Sequence, residues 1–340
     1  MTRPLVECVP NYSEGRRPRV IEEIVAPFRD RRGMHLLDHR ADPDHNRLVV
    51  TLVGEPAPLQ EALLESARAA VARIDLRSHR GAHPRIGAVD VIPFIPIRHV
   101  TMEECVTLAR GFAERYAAEL QVPVYLYESA ARRPDRRSLE RVRKGQFEAL
   151  VAEGLSSESR APDAGPPVLH PSAGATAIGA RPFLVAFNVN LKSRDLGAAR
   201  AIARTIRASS RGMPDVKAVG VALEKQGMVQ VSINLTNYRV TSVHRAFAAV
   251  REEAARRGIE VCGSEIYGMV PAEALIDAAR DALMLTDFDL GQVLDLRLLD
   301  LATEGGFVAD VPGGLVATEG GLAADVPGGS VAIEGGFVER

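Results

Sequence analysis

The chain has 340 residues, 46% hydrophobic and 25% charged, with a formal charge of −2, as expected for a folded protein of about two domains rather than a disordered chain or a fibrous rod. No apolar run approaches the roughly 18 residues of a membrane helix, and the start, MTRPLVECVPN, lacks the apolar stretch of a secretory leader. The near-neutral charge gives no electrostatic case for nucleic acid or an anionic membrane as partner. Cys8, Cys105 and Cys262 are far apart and form no CxxC pair, which suits a reducing, cytoplasmic setting with buried or idle thiols. Without a leader, the Asn11-Tyr12-Ser13 sequon carries little meaning.

In chain order, Leu5–Val9 is predicted as a strand and Arg19–Phe28 as a helix. Two strands follow, His35–His39 and Leu48–Val53, then a helix over Ala57–Ile74, where Leu59, Leu63, Ala67, Ala70 and Ile74 recur at helical spacing. Val89–Ile95 reads as a strand, Met102–Leu120 as a helix and Val122–Tyr127 as a strand. The first six of these elements run β-α-β-β-α-β, the order of ferredoxin-like folds. The same order recurs downstream: strand Phe183–Leu191, helix Leu196–Ala208, strands Val216–Leu223 and Met228–Leu235 joined by a turn at Lys225–Gly227, helix Val240–Arg256, and strand Glu260–Tyr267. A helix over Ala272–Leu285 closes the pattern. The expected fold is therefore α/β (α+β): two ferredoxin-like (split βαβ) subdomains with mixed sheets, over residues 1–179 and 180–300. Between them Ser156–Gly179 reads as a long aperiodic connection rich in Pro, Gly, Ser and Ala, the kind that is often functional.

Residues 301–340 differ from the rest. ATEGGFVADVPGGLV (302–316) is repeated at 12 of 15 positions over 317–331, and a third copy begins at Ala332. Ten of the 29 glycines lie here, with six acidic residues and one Arg. The repeated Gly-Gly and Val-Pro-Gly-Gly raise the entropic cost of ordering, so the tail reads as a mobile, disordered appendage. A calcium β-roll would need a third glycine that every copy lacks, and weak strand pairing with a partner is the remaining alternative.

Several motifs bear on chemistry. Gly174–Gly179 has P-loop glycine spacing, but Ala180 and Arg181 stand where Lys and Ser/Thr must follow, so contact to terminal phosphates is excluded. His79 and His83 are four apart, yet Gly81 and Pro84 break any helix there. His35, His39 and His45 have no Cys or dense carboxylate partner, so no metal site is expected. His83 lies in RGAHPRIG (80–87), just before an apolar strand. Such a His is either structural or solvated, or else a general acid/base, since imidazole titrates near neutral pH. Arg80 and Arg85 beside it are either carboxylate forks or plain surface arginines. The Arg-rich run Arg132–Lys144, with Asp135 and Glu140 mixed in, reads first as a solvated helix face and second as a polyanion site.

Seven segments together are similar to the formiminotransferase family: LVECVPNYSEGR (5–16), DPDHNRLVVTLVG (42–54), HRGAHPRIGAVDVIPFIPI (79–97), PVYLYESAA (123–131), GARPFLVAFNVNL (179–191), QVSINLTNY (230–238) and GSEIYGMVP (263–271). They span about residues 4–285 in the family's order. The resemblance implies transfer of a formimino group from N-formimino-L-glutamate to N5 of tetrahydrofolate, a co-substrate, without metal, in a channel between two α/β subdomains of a homodimer. The family's catalytic His falls on His83. Its folate-contacting loop falls on Gly165, Pro166, Pro167, Val168, Leu169, His170, Pro171, Ser172, Ala173 and Gly174. Arg47, Arg80, Arg85 and Arg181 are the candidate clamps for substrate carboxylates. The cyclodeaminase domain that follows in animal members is expected to be absent. Arg40 stands where an acidic residue is common in the family, with Asp38, Asp42 or Asp90 as possible substitutes in orienting His83, and Ala173 stands where some members carry an aromatic. Two alternatives stay open: formyl transfer between 5-formyltetrahydrofolate and glutamate in the same site, and a non-catalytic folate-binding or scaffold protein.

Overall fold

The computed structural model of the protein describes residues 3–303. The first sheet has seven strands: β1 (Leu5–Cys8), β2 (Asn11–Tyr12), β3 (Met34–Asp42), β4 (Arg47–Gly54), β5 (Val89–Arg98), β6 (Val124–Glu128) and β7 (Thr176–Ala180). β3 pairs with β4, and β1 and β2 lie end to end between β4 and β5, all antiparallel. β7 and then β6 continue beyond β5 in parallel. Helices α1 (Pro18–Val25), α2 (Pro56–Arg73) and α3 (Met102–Leu120) share one hydrophobic core with this sheet. Short helices α4 (Leu139–Val142) and α5 (Gln146–Glu153) contribute to a smaller cluster around Tyr125 and Tyr127.

The second sheet is antiparallel and four-stranded. It contains β8 (Val185–Leu191), β9 (Val216–Leu223), β10 (Met228–Leu235) and β11 (Val261–Tyr267), in the spatial order β11-β8-β10-β9. Its core is formed with α6 (Leu196–Ile206), α7 (Val243–Ala255) and the start of α8 (Ala272–Leu283). Up to Thr286 the chain is one compact unit. A second begins at Asp287, and its described part holds a 3-10 turn over Leu290–Gln292 and helix α9 (Leu294–Thr303). Of residues 301–340, expected as a disordered repeat tail, the first three instead complete α9, and 304–340 lie outside the described residues. No helix among the described residues is long and apolar enough to cross a membrane. All three cysteines are free, Cys8 and Cys105 buried and Cys262 exposed.

Local chemistry explains where elements start. Thr101 and Glu104 form a reciprocal capping box at α3, satisfying two backbone N–H groups that a helix start leaves open. Pro56 opens α2, where a missing N–H costs nothing. The helix expected from Val240 begins at Val243, because Ser242 accepts from Arg245 N as cap and the Thr241 hydroxyl donates to Pro214 O instead. The chief correction is β7, inside the stretch read as an aperiodic connection. Thr176–Ala180 is buried at every position, between α3 on one face and the Tyr125/Tyr127 cluster on the other. A strand covered on both faces shows no alternation. The P-loop-like glycines are thus a turn at Gly174 (φ +71°) and a strand position at Gly179.

Gly179 also sets the approach of β7 to β6. A Cβ built there would lie 2.5 Å from the carbonyl oxygen of Tyr127 and 2.6 Å from its ring, and Tyr127 is itself buried. Gly179→Ala is expected to lower the unfolding free energy by about 1–3 kcal/mol, read from the denaturant midpoint. An unchanged midpoint would contradict this packing.

Candidate active site

Period-two alternation builds the site. In β4, Leu48, Val50 and Leu52 enter the core, so Arg47, Val49 and Thr51 take the opposite face. In β1, Val6 and Cys8 point inward and Glu7 outward. β8 and β10 repeat the scheme, sending Ala186, Asn188, Ser232 and Asn234 to their second face. These faces of both sheets line one cavity of about 500 Å³, a size suited to a small-molecule substrate.

His83 enters the cavity from the loop before β5. The loop is held at several points. His83 N donates to His45 O at 3.4 Å, and Asn46 Nδ2 donates to Arg80 O at 3.0 Å. A Cβ at Gly81 would sit 2.2 Å from His45 O, so the close approach requires glycine. Downstream, the buried Asp90 accepts from Ile86 N at 2.8 Å and pairs with Arg143. No carboxylate among the described residues hydrogen-bonds the His83 ring. Asp38 binds Arg40 Nε at 2.8 Å, Asp42 binds His45 Nδ1 at 2.7 Å, and Asp90 is engaged as above. Burial, then the Arg143 and Arg47 charges, push the His83 imidazole down to about 2. It is therefore neutral at pH 7 and able to accept a proton.

The four candidate arginines separate. Arg47 and Arg181 line the cavity. The Arg47 side chain makes no hydrogen bond among the described residues, and the Arg181 guanidinium donates only to Pro182 O at 3.0 Å. Arg85 is 6% exposed and committed elsewhere. Its Nε donates to His79 Nδ1 at 3.1 Å, and its Nη2 binds Glu148 at 2.7 Å. Since His79 Nδ1 accepts, its Nε2 carries the proton given to Asn46 O at 3.0 Å. The His79–Arg85 pair is thus a brace for the loop. Arg80 points to backbone carbonyls of Arg77 and His79 and is not part of the lining. Arg40 lines the cavity and stacks over Tyr267 at 5.3 Å, joining the two sheets.

Gly165–Gly174 lies outside the cavity lining. It packs behind the His83 loop instead. Leu76 N donates to Ser172 O and Ala88 N to Ala173 O, each at 2.8 Å, and Ala175 N donates to Ile86 O at 2.9 Å. His170 Nδ1 accepts from Ala173 N at 3.0 Å, tightening the turn. Ala173 is buried in the core, so its side chain offers no face to a ligand.

Among the charged residues of the lining, sequence reasoning missed two, Arg143 and Glu7. Arg143 belongs to the run read as one solvated helix face. That face does not exist. The run divides at Pro134, with a 3-10 turn over Pro134–Arg136 and then the four-residue α4, Arg136 is buried against Asp163 and Tyr125, and Arg143 turns into the cavity with its Nε buried and unpartnered. The proline itself was the available signal. Glu7 was quoted within a motif and given no role. A lone charge between Val6 and Cys8, both apolar, marks a residue on the second face of a strand. No group of three or more His, Cys, Asp or Glu side chains that could hold a metal ion occurs among the described residues.

A neutral imidazole beside guanidinium groups, in a cavity between two sheets, is chemically able to accept a proton next to a bound anion. Residues 5–181 match the formiminotransferase domain, N-terminal subdomain, and residues 186–286 match the formiminotransferase domain. The chain belongs to the formiminotransferase family. It is 47% identical over 87% of its length to a Streptococcus pyogenes serotype M1 protein named glutamate formimidoyltransferase, covering 99% of that protein. It is 45% identical, over 86% of its length, to a Thermoplasma acidophilum protein of the same name, covering 97% of it. The formimidoyltransferase-cyclodeaminase of Rattus norvegicus is 46% identical over 81% of this chain, which spans 52% of that longer protein.

The depressed imidazole has a consequence for stability. Between its folded value of about 2 and the usual 6.5, the unfolded chain holds a proton on His83 that the folded one does not. Stability attributable to His83 therefore falls as pH drops below about 6.5, by at most about 1.4 kcal/mol per pH unit. Glu7 and His79 are common to wild type and His83→Ala and cancel in the difference. Urea unfolding at pH 7.5 and 5.5 should move in the variant's favour at the lower pH. Parallel pH dependences would contradict a neutral, desolvated His83.

Proposed function

We propose that the protein is a cytoplasmic glutamate formimidoyltransferase. It moves the formimino group from N-formimino-L-glutamate to N5 of tetrahydrofolate, giving 5-formiminotetrahydrofolate and L-glutamate. The observation that carries this is the 47% identity to a glutamate formimidoyltransferase over nearly the whole of that relative. It is supported by placement of the motif histidine, His83, in the cavity lined by both sheets.

The reaction can be followed atom by atom. N5 of the pterin attacks the amidine carbon with its lone pair, forming a tetrahedral centre. N5 gives its proton to the neutral His83. The bond from carbon to the glutamate nitrogen then breaks as that nitrogen takes a proton, and the amidine re-forms on N5. One imidazole serves as base and then acid, worth typically 10²–10⁴-fold. Much of the remaining acceleration comes from holding both substrates in line.

In this reading Arg47 and Arg143, both in the cavity lining, receive the carboxylates of the glutamate moiety. They are also the charges that depress His83, so a bound dicarboxylate offsets them and moves the imidazole back toward the range where it both takes and gives a proton. The loop Gly165–Gly174 enters through its bonds to Leu76 and Ala88, which fix the strand entry behind His83. In this reading tetrahydrofolate is the co-substrate and no metal takes part. The protein acts as a homodimer, for which the exposed apolar residues Leu275 and Leu283 of α8 offer surface.

Purified protein mixed with both substrates should generate 5-formiminotetrahydrofolate, read as methenyl-folate absorbance after acid treatment. His83→Ala should lose about 10²–10⁴-fold in kcat. Arg47→Ala should chiefly raise KM for N-formimino-L-glutamate, by roughly ten- to a hundredfold. Turnover with 5-formyltetrahydrofolate and glutamate but none with the formimino donor would overturn the assignment.

A further inference from the structure

Glu7 is the one buried acid of the cavity that the transfer chemistry leaves without a task. It is 5% exposed, and its carboxylate accepts no hydrogen bond among the described residues. Arg181, in the same lining, is the charge that acts on it. An unpaired buried carboxylate is costly, and burial pushes this one up to about 7. Such a group has a reason to exist where a ligand supplies the missing donors.

The strand register places Glu7 away from His83. Glu7 lies opposite Val53 of β4 and Ile95 of β5, whereas Asn11 lies opposite Val49 and Val91. His83 is beyond Asn11, bonded to the β3–β4 turn at His45 and acted on by Arg47 and Arg143. Four strand positions, about 13 Å at 3.3 Å each, separate Glu7 from Asn11. Glu7 therefore cannot share the proton transfers at the reacting carbon. It meets a part of the bound substrates remote from that carbon.

Donor chemistry narrows which part. Resting on the proposed reaction, the two substrates carry N–H donors at the amidine, which must sit at His83; at isolated single N–H groups, namely N5, N8, N10 and the tail amide of the folate; and at the pyrimidine edge of the pterin. That edge presents the 2-amino group and N3–H side by side, followed by the 4-oxo acceptor. A carboxylate matches two adjacent donors, and a neighbouring guanidinium matches the acceptor. The glutamate tail of folate is anionic and would be repelled by Glu7.

We infer that Glu7 and Arg181 form the pterin-recognition end of the cavity, with Glu7 accepting from the 2-amino group and N3–H and Arg181 donating to the 4-oxo oxygen. Glu7 is thereby a specificity-determining residue for a 2-amino-4-oxo pteridine. With N5 at His83, the far edge of the same bicyclic ring is directed toward Glu7.

Calorimetry on the full chain tests this, with 5-formyltetrahydrofolate, its 2-desamino-2-methyl analogue and N-formimino-L-glutamate as probes. Glu7→Gln keeps the shape and replaces one acceptor oxygen by an NH₂ group. The variant is expected to bind 5-formyltetrahydrofolate about thirtyfold more weakly, while its affinity for N-formimino-L-glutamate, which also reports correct folding, is unchanged. Wild type should discriminate against the desamino analogue, and the variant should not. Equal folate affinity in wild type and Glu7→Gln, or equal discrimination against the analogue, overturns the inference and leaves the reaction assignment standing. No folate binding by wild type overturns both.

Discussion

A strand that meets helices on one face only must send every second side chain to the other. Both sheets obey this constraint, and most of what defines the site depends on it. The apolar series Leu48–Val50–Leu52 and Phe187–Val189–Leu191 go to the two helix-covered cores. The intervening Arg47, Thr51 and Asn188, with Glu7 from β1, are left on the opposite faces, where a cavity of about 500 Å³ gathers them. Burial of the cores drives the fold, and the same burial fixes which polar groups face one another.

Charge within the cavity is arranged rather than accumulated. Asp38 is matched with Arg40, Asp42 with His45, and Asp90 with Arg143. What remains is Arg47 near the imidazole, and Glu7 with Arg181 further along β1. The two titratable groups left over are shifted in opposite directions, His83 down and Glu7 up, chiefly because both lose solvent. Desolvation disfavours whichever form is charged, so it keeps a base neutral at one place and an acid close to its midpoint at the other.

The loop bearing His83 has no regular structure, and its position comes from its neighbours. His79 and Arg85 tie it to α5 through Glu148, Asp90 closes it from the β5 side, and the Gly165–Gly174 turn backs it. This division of labour explains why residues clustered in sequence around His83 do different work. Arg85, two positions away, is sealed into the brace, while Arg143, sixty positions away, shares the cavity.

Periodicity made most elements legible from the chain itself. Met102–Leu120, Val216–Leu223 and Met228–Leu235 coincide with their expected limits, because half-covered strands alternate and an amphipathic helix repeats near 3.6. The motif around His83, its place before an apolar strand, and the family were legible for the same local reason. Three things were not. β7 is covered on both faces and so carries no alternation. The fates of Arg85 and Arg143 depend on whether Glu148 or the cavity lies within reach of a flexible side chain. Glu7 became conspicuous only once Arg181 and the second sheet stood beside it. Local sequence determines which way a side chain leaves its strand or helix. What it meets there is settled by segments far away in the chain, because solvent exclusion and charge pairing act through space and not along the backbone.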